Sequence, residues 1–384
     1  MVTTTSHSLT TALQGKILGA IREAGGWIGF DRFMALALYT PGLGYYANTS
    51  LKFGSMPTVV EDGVRVAGSD FVTAPEMSPL FGRALAAQVA QALEATGTRE
   101  VWEFGAGSGA LARQLLEALG ERIDRYTIVD LSGVLRARQQ QALRAHAGKL
   151  AWVDALPDAM QGVVVGNEVL DAMPVQLLAR VKGQWFERGV AERMDAADVT
   201  DGTPWPYWQW QDRPTDLRPP LAIEGPHDYL TEIHAQGVAF IHTLAERLVR
   251  GAAFFIDYGF PEAEYYHPQR SGGTVMCHQA HRADPDPLAD VGLKDITAHV
   301  NFTAIALAGQ DAGLEVLGYA NQARFLMNCG LLQLMEQGSV VDRAQAIKLI
   351  HEHEMGELFK VVGFAKGAPW DALGFAQGDR SHVL

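Results

Sequence analysis

Cysteine is scarce in this sequence. Its 384 residues include two cysteines, Cys277 and Cys329, without a C-x-x-C pair or a cysteine–histidine cluster. A disulfide framework or a structural zinc site requires clustered cysteine or histidine residues, so neither is expected. The H-E-H triplet at residues 351–353 lacks the i, i+4 spacing of helical metal ligands, and we predict no metal site.

Long apolar runs and targeting segments are also missing. No run reaches the roughly 20 apolar residues of a membrane-spanning helix. The first ten residues, M-V-T-T-T-S-H-S-L-T, lack the basic start and apolar run of a signal peptide and the arginines of a transit peptide. We therefore expect a soluble, cytoplasmic protein without membrane insertion.

Basic residues are fewer than acidic residues in this sequence. The 31 lysines and arginines face 44 aspartates and glutamates, which gives a formal net charge of −13. Proteins that hold nucleic acid by neutralising phosphates carry an excess of positive charge. We expect no nucleic-acid partner, and a basic protein segment matches this charge better. Nothing in the sequence indicates an oligomeric state.

The most informative stretch that is present is R-E-V-W-E-F-G-A-G-S-G-A, from Arg99 to Ala110. It predicts a short buried strand, a loop with three glycines and a helix that begins at Ala110. In a doubly wound sheet, such a turn lies at the carboxyl end of the first strand. Its glycines let the backbone approach a ligand, which then faces free helix N–H groups.

Two ligands fit this loop. Gly105, Gly107 and Ala110 match the G-x-G-x-x-A form of a dinucleotide fingerprint, and Asp130 follows near the ribose-binding position. Glu103 favours a different ligand, because a carboxylate repels a pyrophosphate but attracts the ammonium and sulfonium of S-adenosylmethionine (SAM). The loop favours SAM and leaves a nicotinamide or flavin enzyme as the alternative.

Strands and helices alternate after the loop, and polar residues follow several strands. This alternation predicts an α/β fold with a doubly wound, mostly parallel sheet of seven strands, the last two forming an antiparallel edge pair. The residues at strand ends are expected to face the ligand crevice. They are Asp130, Asp154, Asn167, Glu168 and Asp257.

Three stretches fall outside this alternation. Residues 9–38 have helical periodicity with a break at Gly25-Gly26, and the stretches 175–230 and 261–300 are irregular apart from a hairpin at Lys182-Gly183. We predict an N-terminal helical and loop region over residues 1–96 that packs on the cofactor site. The main domain then covers 97–384, with the two irregular stretches as substrate-side insertions.

Eight motifs follow one another from about Tyr39 towards the C-terminus. They are A-L-Y-T-P-G-L-G-Y-Y, D-F-V-T-A-P-E-M-S-P-L-F-G, E-F-G-A-G-S-G, G-N-E-V-L-D-A-M-P, T-E-I-H, I-D-Y-G-F, G-G-T and D-I-T-A-H-V-N-F. In this order they resemble the MidA family of class I SAM-dependent methyltransferases, which are relatives of a respiratory complex I assembly factor. The resemblance implies a Rossmann-like fold, SAM as the cofactor and S-adenosyl-L-homocysteine (SAH) as the product.

Within that fold, Glu103 and the glycine loop are expected to hold the methionine part of SAM. Asp130 would bind the ribose hydroxyls and Asp154 the adenine amino group; the alternative for Asp154 is a turn acid. The expected cofactor-binding residues are Pro75, Glu76, Glu103, Gly105, Ala106, Gly107, Gly109, Asp130, Leu131, Asp154, Asn167 and Glu168.

For the mitochondrial members, the resemblance implies methylation of an arginine in a complex I subunit. An arginine acceptor stays protonated near neutral pH and must be held by carboxylates. Glu168 is the first candidate, although it could contact the cofactor instead, and Asp171 could cap a helix. The expected catalytic residues are Glu168, Asp171 and Asp257, and the expected substrate-binding residues are Glu232, Tyr258, His281 and His299.

Other function classes remain open at this point. A small-molecule O- or N-methyltransferase would use the same cofactor with a metabolite as acceptor. A non-catalytic assembly protein would keep the fold without turnover. Each of the candidate histidines could also be a surface or packing residue. The leading prediction is a SAM-dependent methyltransferase that acts on an exposed arginine of a protein.

Overall fold

The computed structural model describes residues 2–48, 73–130, 132–193, 207–279 and 282–384. The chain divides into two compact units, each assembled from separate stretches. The predicted insertion 175–230 lies in the first unit, as does the predicted insertion 261–300 except for its first two residues and its last. The predicted region 1–96 is divided, because its start belongs to the first unit and the helix at 79–96 to the second. The first unit comprises Met1–Ser50, Ala172–Gly237 and Ala263–His299, and the second Leu51–Asp171, Val238–Glu262 and Val300–Leu384.

Helices and strands alternate over residues 79–153, and runs of successive strands or helices occur elsewhere in the described chain. The helices are α1 (Val2–Glu23), α2 (Phe30–Tyr39), α3 (Ala74–Met77), α4 (Pro79–Thr96), α5 (Ala110–Leu119), α6 (Gly133–Ala142), α7 (Ala235–Arg247), α8 (Glu262–Tyr265), α9 (Phe302–Asp311), α10 (Gln322–Asn328), α11 (Leu331–Gln337) and α12 (Val340–Ile350). Among these described helices, none is both long enough and apolar enough to cross a bilayer.

The strands include several of only two to four residues. They are β1 (Trp27–Gly29), β2 (Glu100–Phe104), β3 (Arg125–Val129), β4 (Leu150–Val153), β5 (Met160–Asn167), β6 (Gln176–Val181), β7 (Gln184–Glu192), β8 (Trp208–Pro214), β9 (Tyr229–Ile233), β10 (Leu248–Phe260), β11 (Met276–Gln279), β12 (Arg282–Asp284), β13 (Asp295–Thr297), β14 (Val300–Asn301), β15 (Glu315–Asn321) and β16 (Phe359–Lys366).

The second unit contains the central sheet, in the order β15-β16-β10-β5-β2-β3-β4. The five strands from β10 to β4 are parallel, and β16 runs antiparallel to both of its neighbours. The two residues of β14 pair in parallel with the end of β10. The predicted mostly parallel sheet of seven strands, with its antiparallel edge pair, is therefore confirmed.

Helices cover both faces of this sheet. Neighbouring residues of a strand face opposite sides. In β10, Phe254 lies in a buried cluster with Leu85 and Val89 of α4, whereas Phe255 contacts the ring of Phe240 in α7, with ring centroids 5.8 Å apart. Strands buried on both faces need apolar side chains at every position. This explains the unbroken apolar runs that predicted them.

The first unit is built on an antiparallel sheet in which β6 pairs with β7 and β9, and β7 pairs with β1 and β8. The β6–β7 hairpin turns at Lys182 and Gly183, with φ angles of +49° and +81°. Two consecutive positive φ angles are typical of a type I′ turn, which matches the twist of the strands. The predicted hairpin is confirmed.

Glycines with positive φ angles separate neighbouring helices. The predicted helical stretch 9–38 forms α1 and α2 with β1 between them, because Gly25 and Gly26 take φ angles of +76° and +92°. The stretch 322–335 forms α10 and α11, which are separated at Gly330, where φ is +86°. A left-handed residue ends a right-handed helix, so each glycine sets a boundary.

Candidate functional site

The carboxyl ends of four parallel strands meet in register. Phe104 at the end of β2 pairs with Val129 of β3 and with Gly166 of β5. Val129 pairs in turn with Val153 of β4. The residues that come next along these four strands therefore lie at one edge of the sheet. They are Gly105, Asp130, Asp154 and Asn167.

The glycine loop has a backbone conformation that residues other than glycine rarely adopt. Gly105, Gly107 and Gly109 have φ angles of +63°, +52° and +84°, in the left-handed region that glycine tolerates. A Cβ on Gly105 would lie 3.1 Å from Cγ2 of Val169, so the loop packs closely on the segment after β5. Gly105 itself is exposed, while Ala106 is buried. The loop therefore presents bare backbone ahead of the N-terminus of α5.

Glu103 is buried near the end of β2, with 2% of its surface exposed. Its Oε2 accepts a hydrogen bond of 2.7 Å from the Tyr126 hydroxyl. Burial raises the pKa of Glu103 to about 8; the Tyr126 bond opposes this rise and the charge of Asp130 adds to it. Glu103 is therefore not the fixed negative charge that the sequence suggests, because burial favours the protonated form of its carboxyl group.

Both carboxylate oxygens of Asp130 accept hydrogen bonds. Oδ1 accepts a hydrogen bond from the Ser132 N–H and Oδ2 accepts one from Nε2 of Gln139, each at 2.8 Å. Burial raises the pKa of Asp130, and these two bonds oppose the rise. Asp154 is exposed on the bend that follows β4. Each oxygen of Asp130 can accept a further bond, so its contacts leave room for a ligand hydroxyl.

Glu168 has an unusual backbone, with a φ angle of +54°. Its N–H donates to the Ile256 carbonyl at 2.9 Å, which continues the pairing of β5 with β10 before the chain turns. Its Oε1 accepts a hydrogen bond of 2.8 Å from Nδ2 of Asn167. Left-handed residues other than glycine cost about 1–3 kcal/mol and cluster at functional sites. Nearby, Oδ1 of Asn167 is buried without a hydrogen-bond partner in the described structure.

Asp257 holds the segment that follows Glu168. Its Oδ2 accepts hydrogen bonds from the consecutive backbone N–H groups of residues 169–171, at distances from 2.9 to 3.2 Å. Its Oδ1 accepts one from the Tyr258 N–H at 2.9 Å. Burial and the charge of Glu168 raise the pKa of Asp257, and the backbone donors oppose that rise. All four of these contacts are to backbone N–H groups, and the catalytic role expected of Asp257 stays a prediction.

Asp171 and Tyr258 flank this arrangement in the second unit. Asp171 is 3% exposed and belongs to the segment held by Asp257. Tyr258 is half-buried, with its ring 5.4 Å from that of Phe359 at an edge-on angle. The structure thus brings Glu168, Asp171, Asp257 and Tyr258 together at the ends of β5 and β10.

Glu232 and His299 belong to the first unit. Oε1 of Glu232 accepts the Thr274 N–H at 2.6 Å, and Oε2 accepts the Tyr265 hydroxyl at 2.7 Å. The His299 N–H donates to Oγ1 of Thr274 at 3.1 Å. Gly273 has no room for a side chain, because a Cβ there would lie 2.7 Å from Oε1 of Glu232. Glu232 therefore holds the G-G-T turn through these contacts, and its role in substrate binding stays a prediction.

Pro75 and Glu76 lie in the short helix α3. The Pro75 carbonyl accepts a hydrogen bond of 2.7 Å from Nε2 of Gln114, a buried residue of α5. Oε1 of Gln114 accepts the Gly82 N–H at 2.9 Å. One glutamine therefore joins α3, α4 and α5. The predicted site residues Leu131 and His281 lie outside the described residues, as do the first three residues of the motif that begins at Asp70.

Gln114 and Gln139 were missed by the sequence reasoning. Gln114 occupies the apolar face of α5 beside Leu111 and Leu115, and a polar residue in that position is a signal of a buried contact. Gln139 gave no such signal, because it is followed by two further glutamines on a helix of low mean hydropathy. Only the structure shows that Gln139 is buried.

Comparisons with known proteins add to this geometry. A family model described as "Putative S-adenosyl-L-methionine-dependent methyltransferase" matches residues 84–320. A crystal structure of a candidate methyl transferase from Burkholderia thailandensis, bound to S-adenosyl-homocysteine, is 48% identical in sequence with a TM-score of 0.88, and the match covers 99% of this chain and 98% of that chain.

Curated relatives are more distant in sequence but similar in length. The mitochondrial protein arginine methyltransferase NDUFAF7 of Danio rerio is 26% identical over 397 residues, covering 92% of this chain and 86% of the relative. The Caenorhabditis elegans homologue of that protein is 25% identical over 381 residues, covering 91% of this chain and 84% of the relative.

Proposed function

We propose, since this chain belongs to the family of S-adenosyl-L-methionine-dependent methyltransferases, that it methylates an arginine side chain of a protein substrate. The resemblance found in the motifs is confirmed, as are the Rossmann-like fold and SAM as the cofactor. Two observations support the proposal of an arginine acceptor. The distant curated relatives are named protein arginine methyltransferases, and the side chain of Glu168 is fixed by its backbone conformation and by Asn167.

The residues at the strand ends fit SAM. Glu103 offers a buried carboxyl group and Asn167 an unpartnered buried oxygen, and both suit the ammonium of the methionine part. We assign Asp130 to the ribose hydroxyls and Asp154 to the adenine amino group, and we keep Pro75 and Glu76 in the proposed set. When bound, the cofactor supplies a methyl group attached to a positively charged sulfur.

Glu168 is the residue that we propose to hold the guanidinium of the acceptor arginine. A protonated guanidinium has no free lone pair, so a carboxylate beside it must orient one nitrogen and take up charge as a proton leaves. Glu168 is half-buried at the end of β5, in a backbone conformation that the surrounding structure must maintain. Alignment of the reacting groups can lower the free-energy barrier of such a reaction by roughly 7–11 kcal/mol. We assign this role to Glu168.

We assign Asp257 to positioning. By binding residues 169–171 through their backbone, it fixes the turn that directs Glu168. Asp171 lies in the held segment and Tyr258 beside it, and both remain proposed acceptor-pocket residues. His299 remains a proposed substrate-binding residue, whereas we assign Glu232 to the support of the turn that it binds.

Labelled SAM tests the proposed acceptor. The protein is incubated with methyl-labelled SAM and three acceptors, namely purified complex I subunits, arginine-containing peptides and a pool of small metabolites. We expect label on arginine of a protein, and none after that arginine is replaced by lysine. Label confined to a metabolite would contradict the proposal and favour a small-molecule methyltransferase. Tight SAH binding without any labelling would favour a non-catalytic assembly protein.

Proton release on cofactor binding is expected from the geometry of Glu103. Its pKa of about 8 leaves roughly nine-tenths of the carboxyl protonated at pH 7, and a cation beside it favours the ionised form. SAH affinity should therefore fall about tenfold for each pH unit below 8 and level off above it. Calorimetry at pH 7 in buffers of different ionisation enthalpy should detect close to one released proton.

Glu103→Gln provides the control for this pH dependence. The variant cannot ionise, so both the proton release and the slope below pH 8 should disappear. An unchanged slope in Glu103→Gln would assign the titration to another group. Wild-type affinity that is constant from pH 6 to 8 would contradict the raised pKa of Glu103.

A further inference from the structure

Gln139 connects three segments of the proposed cofactor site. Its Nε2 donates to the Gly107 carbonyl at 3.1 Å and to Oδ2 of Asp130 at 2.8 Å. Its Oε1 accepts a hydrogen bond of 3.0 Å from the indole N–H of Trp152 in β4. Gln139 is fully buried, and the three contacts use both amide hydrogens and the carbonyl oxygen.

These contacts reach the glycine loop, the end of β3 and the strand that precedes Asp154. Each partner belongs to a different segment at the same edge of the sheet. We propose that Gln139 is a positioning residue that fixes the glycine loop and Asp130 relative to each other and thereby sets the affinity for the cofactor. This inference rests on the cofactor site of the proposed function but not on its acceptor.

The chemistry of a glutamine suits this position. The Gly107 carbonyl and the Asp130 carboxylate are both acceptors, and an amide NH₂ group can donate to both at once. A carboxylate in place of the amide would face two acceptors without a proton to share. An apolar side chain of similar length would leave both acceptors and the Trp152 indole N–H without their partner, which is costly in a buried site.

Two substitutions test the role of Gln139 through SAH affinity, measured by calorimetry on the full chain. Gln139→Met should weaken SAH binding roughly 10- to 100-fold. Gln140→Met is the matched control, since its side chain is exposed on the same helix, and it should bind SAH as the wild type does. Gln139→Met binding within twofold of the wild type, in a folded protein, would overturn the proposal.

Gln139→Glu gives a signature that a purely structural role would not produce. The new carboxyl can still accept from the indole of Trp152, but it can donate to Asp130 only when it is protonated. Its defect relative to wild type should therefore be large at pH 8, about 100-fold, and shrink to less than about tenfold near pH 6. A defect that does not change with pH would overturn the proposal.

Trp152→Phe covers the case in which both substitutions at Gln139 prevent folding. It removes one of the three anchoring hydrogen bonds and keeps an aromatic ring. SAH affinity should fall about two- to tenfold, and unchanged affinity would overturn the proposal. Because SAH binding needs no acceptor, failure to label an arginine would contradict the proposed acceptor without affecting this test. Equally, normal SAH binding by the Gln139 variants would contradict the positioning role of Gln139 without affecting the proposal of an arginine acceptor.

Discussion

Glu168→Gln should lower the rate of methyl transfer to the acceptor by about 100- to 1,000-fold, the typical loss when one preorganised electrostatic contact is removed from a reacting group. The amide keeps the size of the side chain and can still accept from Nδ2 of Asn167, so the turn is maintained. It cannot form an ion pair with a guanidinium or take up its proton. Single-turnover labelling at saturating SAM measures the change.

Cofactor affinity separates this prediction from a general defect. SAH binding by Glu168→Gln should stay within about twofold of wild type, because Glu103 and the glycine loop are unchanged. Glu94→Gln, the same substitution at an exposed position of α4, should leave both the rate and the affinity unchanged. A parallel loss of SAH binding would instead make Glu168 a cofactor ligand, which the sequence left as its alternative role.

Gly105→Val should reduce SAH affinity at least about 100-fold, equivalent to about 2.7 kcal/mol. Gly105 has a φ angle of +63°, where a β-branched residue is a genuine outlier. The added Cβ would also lie 3.1 Å from Cγ2 of Val169, so the loop or the segment after β5 must shift. Both are parts of the proposed cofactor site. Calorimetric titration with SAH measures the loss.

Gly19→Val is the matched control for the glycine loop. Gly19 lies in α1, and no atom lies within 4 Å of a Cβ built on it. The same substitution there should leave SAH affinity unchanged, and thermal unfolding verifies that both variants are folded. SAH affinity in Gly105→Val within tenfold of wild type would show that the ligand does not depend on the conformation of this loop.

The glycine loop and the succession of short strands after it could be predicted because their signals are local. The glycine loop lies between a buried strand and a helix, and the strands after it are short apolar runs that end in polar residues. The Lys182-Gly183 pair likewise predicted the turn of the β6–β7 hairpin. In each case, residues adjacent along the chain determine the backbone conformation, and the pattern can be recognised without knowledge of distant contacts.

The hydrogen-bond partners of Asp257, Glu232 and Gln139 could not be predicted, because these partners are distant along the chain. Asp257 binds backbone N–H groups more than 80 residues earlier in the chain, and nothing in the sequence I-D-Y-G-F distinguishes that role from substrate binding. The pKa of Glu103 is similarly set by burial, which periodicity alone does not quantify. The sequence therefore predicts that Glu103 and Asp257 lie on or at the end of strands, but it does not predict which atoms their carboxyl groups contact.

The position of β16 has a consequence for synthesis of the chain. It lies between β10 and β15 in the sheet, yet it comes after both of them in the sequence. A ribosome must therefore produce Phe359–Lys366 before those two strands gain their common neighbour, and until then each has an open edge that can pair with another nascent chain. Premature termination upstream of Phe359 should therefore yield insoluble protein.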